Sequence, residues 1–367
     1  MSIAVSNLVK KFGGTAAVAG VSLDVPEGEM LVLLGPSGCG KTTTMRCIAG
    51  LETPDSGTIS IDGSAVFDSS QGTNVPVNRR KVGMVFQSYA IWPHMSVFEN
   101  VAFSLKMEGL GRKEIVERVG DMLALVGLDG LAERGASYLS GGQMQRVALA
   151  RSLVMRPSVL LFDEPLSNLD TRLRDHLRVQ LRELQTRLRI TSVYVTHDQR
   201  EALALADRIV VMDAGAVQQS GDPVGLYRSP RTSTIAEFLG YSNIFDATIE
   251  ACQPDLCRVT LAGSGHRLRA AAAPRAEGEF AACFRPEDVS IERCAGTGDV
   301  PPRLTENSVA GQVILASFIG THMQFRVRTD GGEVWEVLST RISSDIRLED
   351  RVVVGIAASN LYLLPKK

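Results

Sequence analysis

Lys41 and Thr42 close the stretch Gly35-Pro36-Ser37-Gly38-Cys39-Gly40-Lys41-Thr42, which gathers three glycines, an ammonium and two hydroxyls within eight residues. Glycine permits tight backbone of positive φ. The N–H groups of such a loop can converge on one point, and at a helix N-terminus that point favours an anion. Lys41 adds a full positive charge, and the Thr42 hydroxyl can reach a Mg²⁺ ion. The pattern G-x-x-x-x-G-K-[ST] is a phosphate-binding loop, so these residues predict a bound nucleotide triphosphate. Cys39, beside a helix N-terminus and a lysine, is expected to be the most reactive of the thiols, because both favour the thiolate.

Four further stretches carry groups suited to a triphosphate. In VLLFDEP (159–165) an apolar run ends in two acids. Asp163 can hold Mg²⁺, and Glu164 can accept a proton from the water that attacks the γ-phosphate. In YLSGGQMQRVALARSL (138–153), Ser140, Gly141 and Gly142 precede a helical pattern and offer a second anion site, or else a simple N-cap with a glycine pair. His197 ends the run VYVTH, where it can sense the γ-phosphate, and Gln87 ends KVGMVFQ, where its amide can contact Mg²⁺ and water. Phe12, ahead of Gly13, can stack on adenine or pack in the core.

These groups need strands and helices behind them. Met30–Leu34, KVGMVF, SVLLFDEP, TSVYVTH and RIVVMDAG read as strands, and 141–156, 172–188 and 199–206 as helices with apolar spacing of three and four. Such alternation over residues 1–235 predicts a largely parallel sheet with helices on its faces. Residues 96–135 are helical without a strand, and the helical insert, with the helix that follows, spans about 96–155. After about residue 240 short alternating strands replace helices: NIFDATIEA, CRVTLA, HRLRAA, GQVILASF, MQFRVRT, EVWEVLS, RVVVGIA and LYLLP. They predict a small all-β domain over 236–367, in two parts at roughly 241–292 and 308–365, with RCAGTGDVPPRLTEN (293–307) as a loop.

Composition narrows the class. The 367 residues suffice for two or three domains, and 44% hydrophobic with 22% charged residues describes a soluble globular chain. A net charge of −2 gives no electrostatic case for nucleic acid. The N-terminus MSIAVSNLVKKF lacks a signal-peptide core, and no apolar run approaches a membrane span, so a cytosolic chain is expected unless a partner anchors it. Six cysteines lack a secreted-type framework, and reduced thiols are the expectation. Cys252, Cys257, Cys283 and Cys294 with His266 do not have zinc-ribbon spacing.

Taken in order, the loop Gly35–Thr42, Gln87, LSGGQ (139–143), Asp163–Glu164, SNLD (167–170) and His197 make residues 1–235 resemble the ATP-binding cassette of ABC transporters. The resemblance implies an α/β P-loop cassette with a helical insert, followed by an OB-like β domain. It implies ATP sandwiched in a homodimer between one P-loop and the partner's signature. Lys41, Gln87, Glu164 and His197 then serve catalysis. Phe12, Gly35 to Thr43, Ser140, Gly141, Gly142, Gln143 and Asp170 bind the nucleotide, and Thr42, Gln87 and Asp163 hold Mg²⁺. Phe12 stands where many members have tyrosine, and Met144 where a polar residue is commoner.

FQSYAIWPHMSVFENVAFSL, DEPLSNLD, YVTHDQREAL and LYRSP…AEFLGYSN, with FRPEDVSI (284–291), are similar to the bacterial importer branch and its transport-associated domain. That implies a peripheral ATPase on the cytoplasmic face of the inner membrane. Permease subunits would dock near Gln87 and the insert, with Tyr89 and Trp92 near the dock or in the core, and a solute-binding protein would deliver substrate. FLGYSNIF and FDSSQGTNVPVNRRK lean toward ferric iron, polyamine, thiamine or phosphonate, with a sugar importer as the alternative. A soluble cassette acting on ribosomes or DNA fits less well. The chain has one P-loop, and the stretch from it to the signature lacks the heptads of a coiled coil. The β domain argues against an exporter half, and intact Glu164 and His197 against a purely regulatory module.

Overall fold

A computed structural model of the chain describes residues 2–253, 256–271, 278–294, 305–342 and 345–366. It divides into two compact units, Met1–Arg228 and Ser229–Lys367. The division falls a few residues before the expected one at 235.

In the first unit the strands are β1 (Ile3–Phe12), β2 (Thr15–Val25), β3 (Met30–Leu34), β4 (Ser56–Ile61), β5 (Ser64–Asp68), β6 (Thr73–Asn74), β7 (Val82–Val85), β8 (Val159–Asp163), β9 (Thr191–Thr196), β10 (Arg208–Asp213) and β11 (Ala216–Gly221). The helices are α1 (Lys41–Ala49), α2 (Val97–Met107), α3 (Arg112–Leu125), α4 (Gly141–Leu153), α5 (Thr171–Leu188), α6 (Gln199–Leu205) and α7 (Pro223–Arg228). One sheet runs β11-β10-β3-β9-β8-β7. Its five strands from β10 to β7 are parallel, and only β11 joins as an antiparallel hairpin. Every residue of β3, β8 and β9 is buried, which is why MLVLL in β3 and VLLF in β8 read as unbroken apolar runs, whereas β9 mixes Val and Tyr with Thr and Ser.

A second sheet, β2-β1-β4-β5-β6, is antiparallel throughout. This sheet departs from the largely parallel order expected over residues 1–235. β1 buries one face only: Ile3, Val5 and Leu8 point into the core while their neighbours are wetted. A single hydrophobic core joins that face to Met45 and Ile48 of α1 and to Leu31, Leu161 and Val193 of the parallel sheet.

The insert is helical as expected. Ser96 and Glu99 form a reciprocal capping box that starts α2. Asn100, fully buried, bonds Trp92 N at 2.9 Å, Trp92 O at 3.1 Å and Ser96 O at 3.0 Å, so the turn into α2 has one fixed shape.

The second unit begins with α8 (Ser233–Phe238) and continues as β12 (Asn243–Gln253), β13 (Leu256–Leu261), β14 (Arg267–Ala271), β15 (Phe280–Phe284), β16 (Ser290–Arg293), β17 (Asn307–Phe318), β18 (Met323–Thr329), β19 (Val334–Ser339), β20 (Arg351–Ile356) and β21 (Tyr362–Pro365). Two antiparallel sheets, β14-β13-β12-β15-β21 and β16-β20-β17-β18-β19, share a core around the fully buried Trp335, whose ring lies 4.7 Å from Phe284. The expected two-part division differs at both ends. β16 pairs with β20 of the later sheet, and β21 returns to the earlier one beside β15. β15 went unread because FAACF is short, wholly buried and shows no alternation. Most of the loop expected at 293–307 lies outside the described residues.

One expectation is overturned. Cys252 and Cys257 are register partners across the β12–β13 hairpin and are joined by a disulfide. Strand pairing, which the sequence spacing did not disclose, brings the two sulfurs together. His266 is engaged elsewhere, with Nδ1 3.2 Å from Glu333.

Candidate functional site

The parallel order β3-β9-β8-β7 sets four loops side by side at the C-terminal ends of adjacent strands, the edge where α/β sheets bind ligands. β3 leads into Gly35–Gly40, β8 ends at Asp163 and Glu164, β9 leads to His197, and Gln87 lies just beyond β7.

The phosphate loop is clamped by backbone. A Cβ on Gly35 would lie 2.2 Å from Met212 O, and one on Gly40 would lie 2.2 Å from Ala17 O. Gly40, at φ 100°, is the left-handed N-cap of α1. Lys41 is buried, and its Nζ donates to Gly35 O at 2.8 Å and Pro36 O at 2.9 Å. The ammonium therefore sits over the loop it serves. Pro36, Ser37 and Gly38 are exposed, and Thr43 is half-buried.

Cys39 corrects an expectation. It is buried, with Sγ 3.7 Å from Lys41 Nζ. Burial pushes its thiol up from the ordinary value, and the neighbouring Lys41 only offsets part of that rise. Desolvation outweighs the cation, so Cys39 is a small residue packed under the loop and not an activated thiolate.

Asp163 is 6% exposed, and its Oδ1 accepts from Thr42 Oγ1 at 3.1 Å. Arg46 stands 3.8 Å from Oδ2. Burial raises the carboxyl, the Thr42 hydrogen bond and Arg46 lower it, and Glu164 adds repulsion. A desolvated carboxylate beside a threonine hydroxyl, with only a distant partner cation, is a hard oxygen donor set of the kind Mg²⁺ takes.

Glu164 has φ 45°, a left-handed conformation uncommon for a residue with a side chain, and its N–H donates to Val195 O at 3.1 Å. That turn aims its carboxylate across β9, where Oε2 meets His197 Nδ1 at 3.1 Å. The base candidate and the histidine are thus brought together from different strands. Gln87 is exposed, and its backbone carbonyl accepts from Asn168 Nδ2 at 2.9 Å. Phe12 is 49% exposed with the Lys10 ammonium 5.0 Å above its ring, so it stands outside the core. Tyr89 is buried, whereas Trp92 lies half-buried against Phe103 and Arg151.

Ser140 caps α4. Its Oγ accepts from Gln143 N, and its N–H donates to Gln143 Oε1 at 3.0 Å. A Cβ on Gly142 would meet Leu173 at 3.1 Å and Leu177 at 3.3 Å, so this glycine also lets α4 close on α5. Among the described residues no hydrogen bond or ion pair joins Ser140–Gln143 to the phosphate loop or Glu164. Asp170 N-caps α5 through Leu173 N at 3.0 Å.

Sequence reasoning missed a polar group beneath His197. Glu201, 3% exposed, accepts from Tyr194 Oη at 2.9 Å and Thr196 Oγ1 at 2.8 Å. Asp198 caps α6 through Arg200 N and Glu201 N, and Arg174 approaches both acids. The one signal in the sequence was the helix-start pattern of Asp198 with Glu201 three residues on.

The class this sheet edge defines is the P-loop nucleotide triphosphatases. Within it, the chain belongs to the ATP-binding proteins of ABC transporters, importer branch, and is an ATP-hydrolysing transport ATPase. The ABC transporter family matches residues 18–167, and the TOBE domain matches 282–364. Over 358 residues the chain is 43% identical to the Fe(3+) ions import ATP-binding protein FbpC of Rhizobium etli, covering 98% of this chain and 96% of that protein. It is 45% identical over 339 residues to the spermidine/putrescine import ATP-binding protein PotA of Rubrobacter xylanophilus, covering 91% and 85%. Among solved structures, cbiO1 from Clostridium perfringens, part of the ABC transporter complex cbiONQ, matches with TM-score 0.56 and 32% identity over 61% of this chain and 90% of that one. A dimeric ATP-binding cassette in a post-hydrolysis state, bound to ADP and Pi, matches with TM-score 0.52 and 31% identity over 60% and 98%.

Proposed function

We propose that this chain powers a bacterial importer from the cytoplasmic face of the inner membrane, as a homodimer bound to permease subunits served by a solute-binding protein. Ferric iron is the solute favoured, because several relatives above 40% identity over nearly the whole chain are named Fe(3+) import proteins. A polyamine is the second reading, on the strength of the 45% identical spermidine/putrescine relative.

The observation that carries the catalytic reading is the meeting of Glu164 and His197 at 3.1 Å, with Asp163 the residue before Glu164 and Lys41 following β3, the strand next to β9. Mg²⁺, held by Asp163 and Thr42 with Gln87 near, would supply charge neutralisation for the phosphate oxygens. Lys41 swings from its own loop carbonyls to the phosphates, and the loop N–H groups cradle them. Glu164 takes the proton of the attacking water. His197, oriented by Glu164, donates to the γ-phosphate. Phe12 stacks on the adenine. Ser140, exposed at the N-terminus of α4, serves the ATP of a second copy together with Gly141 and Gly142, with Asp170 at the seam.

Mixing Lys41→Ala and Ser140→Arg chains tests the sharing. One site of the mixed dimer keeps both motifs, so ATP-dependent dimerisation recovers in part. Mixed samples that behave like either mutant alone refute it. For the solute, deleting the gene should abolish uptake of radiolabelled ferric iron and spare spermidine, whereas the converse assigns a polyamine.

A further inference from the structure

Glu164 and His197 sit on separate loops, joined at the backbone by Glu164 N–H to Val195 O at 3.1 Å, and both loops continue past that bond into helices. The segment after Glu164 runs through Ser167–Asp170 into α5, and His197 tops the turn from β9 into α6. One side chain touches both. Arg174, on the first turn of α5, donates from Nη2 to Leu169 O at 3.1 Å and from Nη1 to Asp198 Oδ2 at 3.5 Å. Its Nε lies 3.9 Å from Oε1 of the buried Glu201. Glu201 in turn holds Thr196, and Thr196 Oγ1 accepts from Asp198 N at 2.9 Å. Both neighbours of His197 are therefore anchored to a network that Arg174 completes, and the same guanidinium holds the backbone that follows Glu164.

We propose that Arg174 is a positioning residue for hydrolysis, stapling the loop after Glu164 to the turn that carries His197 so that the pair keeps its contact. A guanidinium suits this role because its planar fork presents several donors at fixed angles, reaching a carbonyl and a carboxylate at once. Lysine has one centre of charge and cannot hold both partners in one geometry. The carbonyl link is what separates this role from simple neutralisation of Asp198 and Glu201: a cation placed only for charge would have no reason to engage Leu169 O.

The inference rests on His197 acting in hydrolysis, and the test separates the two. Single-turnover ATP hydrolysis and ATP affinity are measured for full-length wild type, Arg174→Met, Arg174→Lys, His197→Ala and the Arg174→Met/His197→Ala double variant. Arg174→Met is expected to lower the hydrolysis rate about tenfold or more with ATP affinity within about twofold, since one displaced contact costs on that scale. Arg174→Lys recovers less than half of the loss. In the His197→Ala background the arginine substitution changes the rate less than about twofold, because its effect has already been removed. A wild-type rate in Arg174→Met, full recovery by lysine, or losses that multiply in the double variant would overturn the proposal. A wild-type rate in His197→Ala would instead overturn the catalytic reading beneath it. Should Arg174→Met fail to fold, Arg174→Lys, which keeps the charge, carries the same cycle with His197→Ala.

Discussion

Gly38 and Gly40 stand two residues apart in the same loop, both with positive φ, yet their replacement by alanine should cost different amounts. At Gly38, φ 81°, a Cβ meets nothing within 4 Å. The cost there is backbone strain alone, about 1–2 kcal/mol. At Gly40, φ 100°, the Cβ would also fall 2.2 Å from Ala17 O. That carbonyl cannot step aside freely. Its strand is tied to the adjoining turn by Ala19 N to Gly215 O at 2.8 Å, and Gly215 N closes back on Cys39 O at 3.1 Å. Overpacking adds about 1–3 kcal/mol, giving roughly 2–5 kcal/mol for Gly40→Ala. Thermal melts of the full chain without nucleotide read the difference. At roughly 2–4 °C per kcal/mol for a unit of this size, the cassette transition drops by about 4–20 °C for Gly40→Ala. Gly38→Ala drops it by about 2–8 °C on the same scale. Equal shifts in the two variants would refute the steric reasoning, and a Gly40→Ala protein with wild-type melting would refute it outright.

Three other outcomes are expected. Glu164→Gln keeps the side-chain shape but not the proton acceptor, so turnover should fall by about 10²–10⁴ while ATP still binds; steady-state turnover within a few-fold of wild type removes Glu164 as the base. Burial raises the Glu201 carboxyl above its ordinary value, so the folded state holds that proton more tightly than the unfolded one. Its contribution is greatest below the unfolded value of about 4.3 and is lost as pH rises through the raised native value. Urea titrations across that window should therefore show Glu201→Gln gaining on wild type as pH rises, and a pH-independent difference would contradict the shift. Maleimide should modify the half-buried Cys294 before the buried Cys39, as mass spectrometry of briefly labelled protein would show, and preferential labelling of Cys39 would restore the activated thiolate.

The chemistry of the site was legible in the chain because it rests on local patterns. A phosphate loop needs its glycines and lysine at fixed spacing, and an acid pair at the end of a buried run has few other uses. The parallel strands were legible for the same reason, since burial on both faces leaves an unbroken apolar signature in MLVLL and VLLF. The antiparallel sheet was not, because Ile3–Phe12 and Thr15–Val25 bury one face and are interrupted by bulges that break the alternation. What only the tertiary structure decided is which groups meet and what each environment does to them. Strand order put β9 between β3 and β8, and so brought His197 to Glu164 across more than thirty residues of chain. Burial reversed the reading of Cys39, since the sequence shows the lysine beside it but not the water taken away. Strand register joined Cys252 to Cys257, and a single arginine, ordinary in sequence, became the bridge between two loops. Spacing along the chain records the groups a site requires; distance and desolvation, which set their reactivity, exist only once the strands are paired.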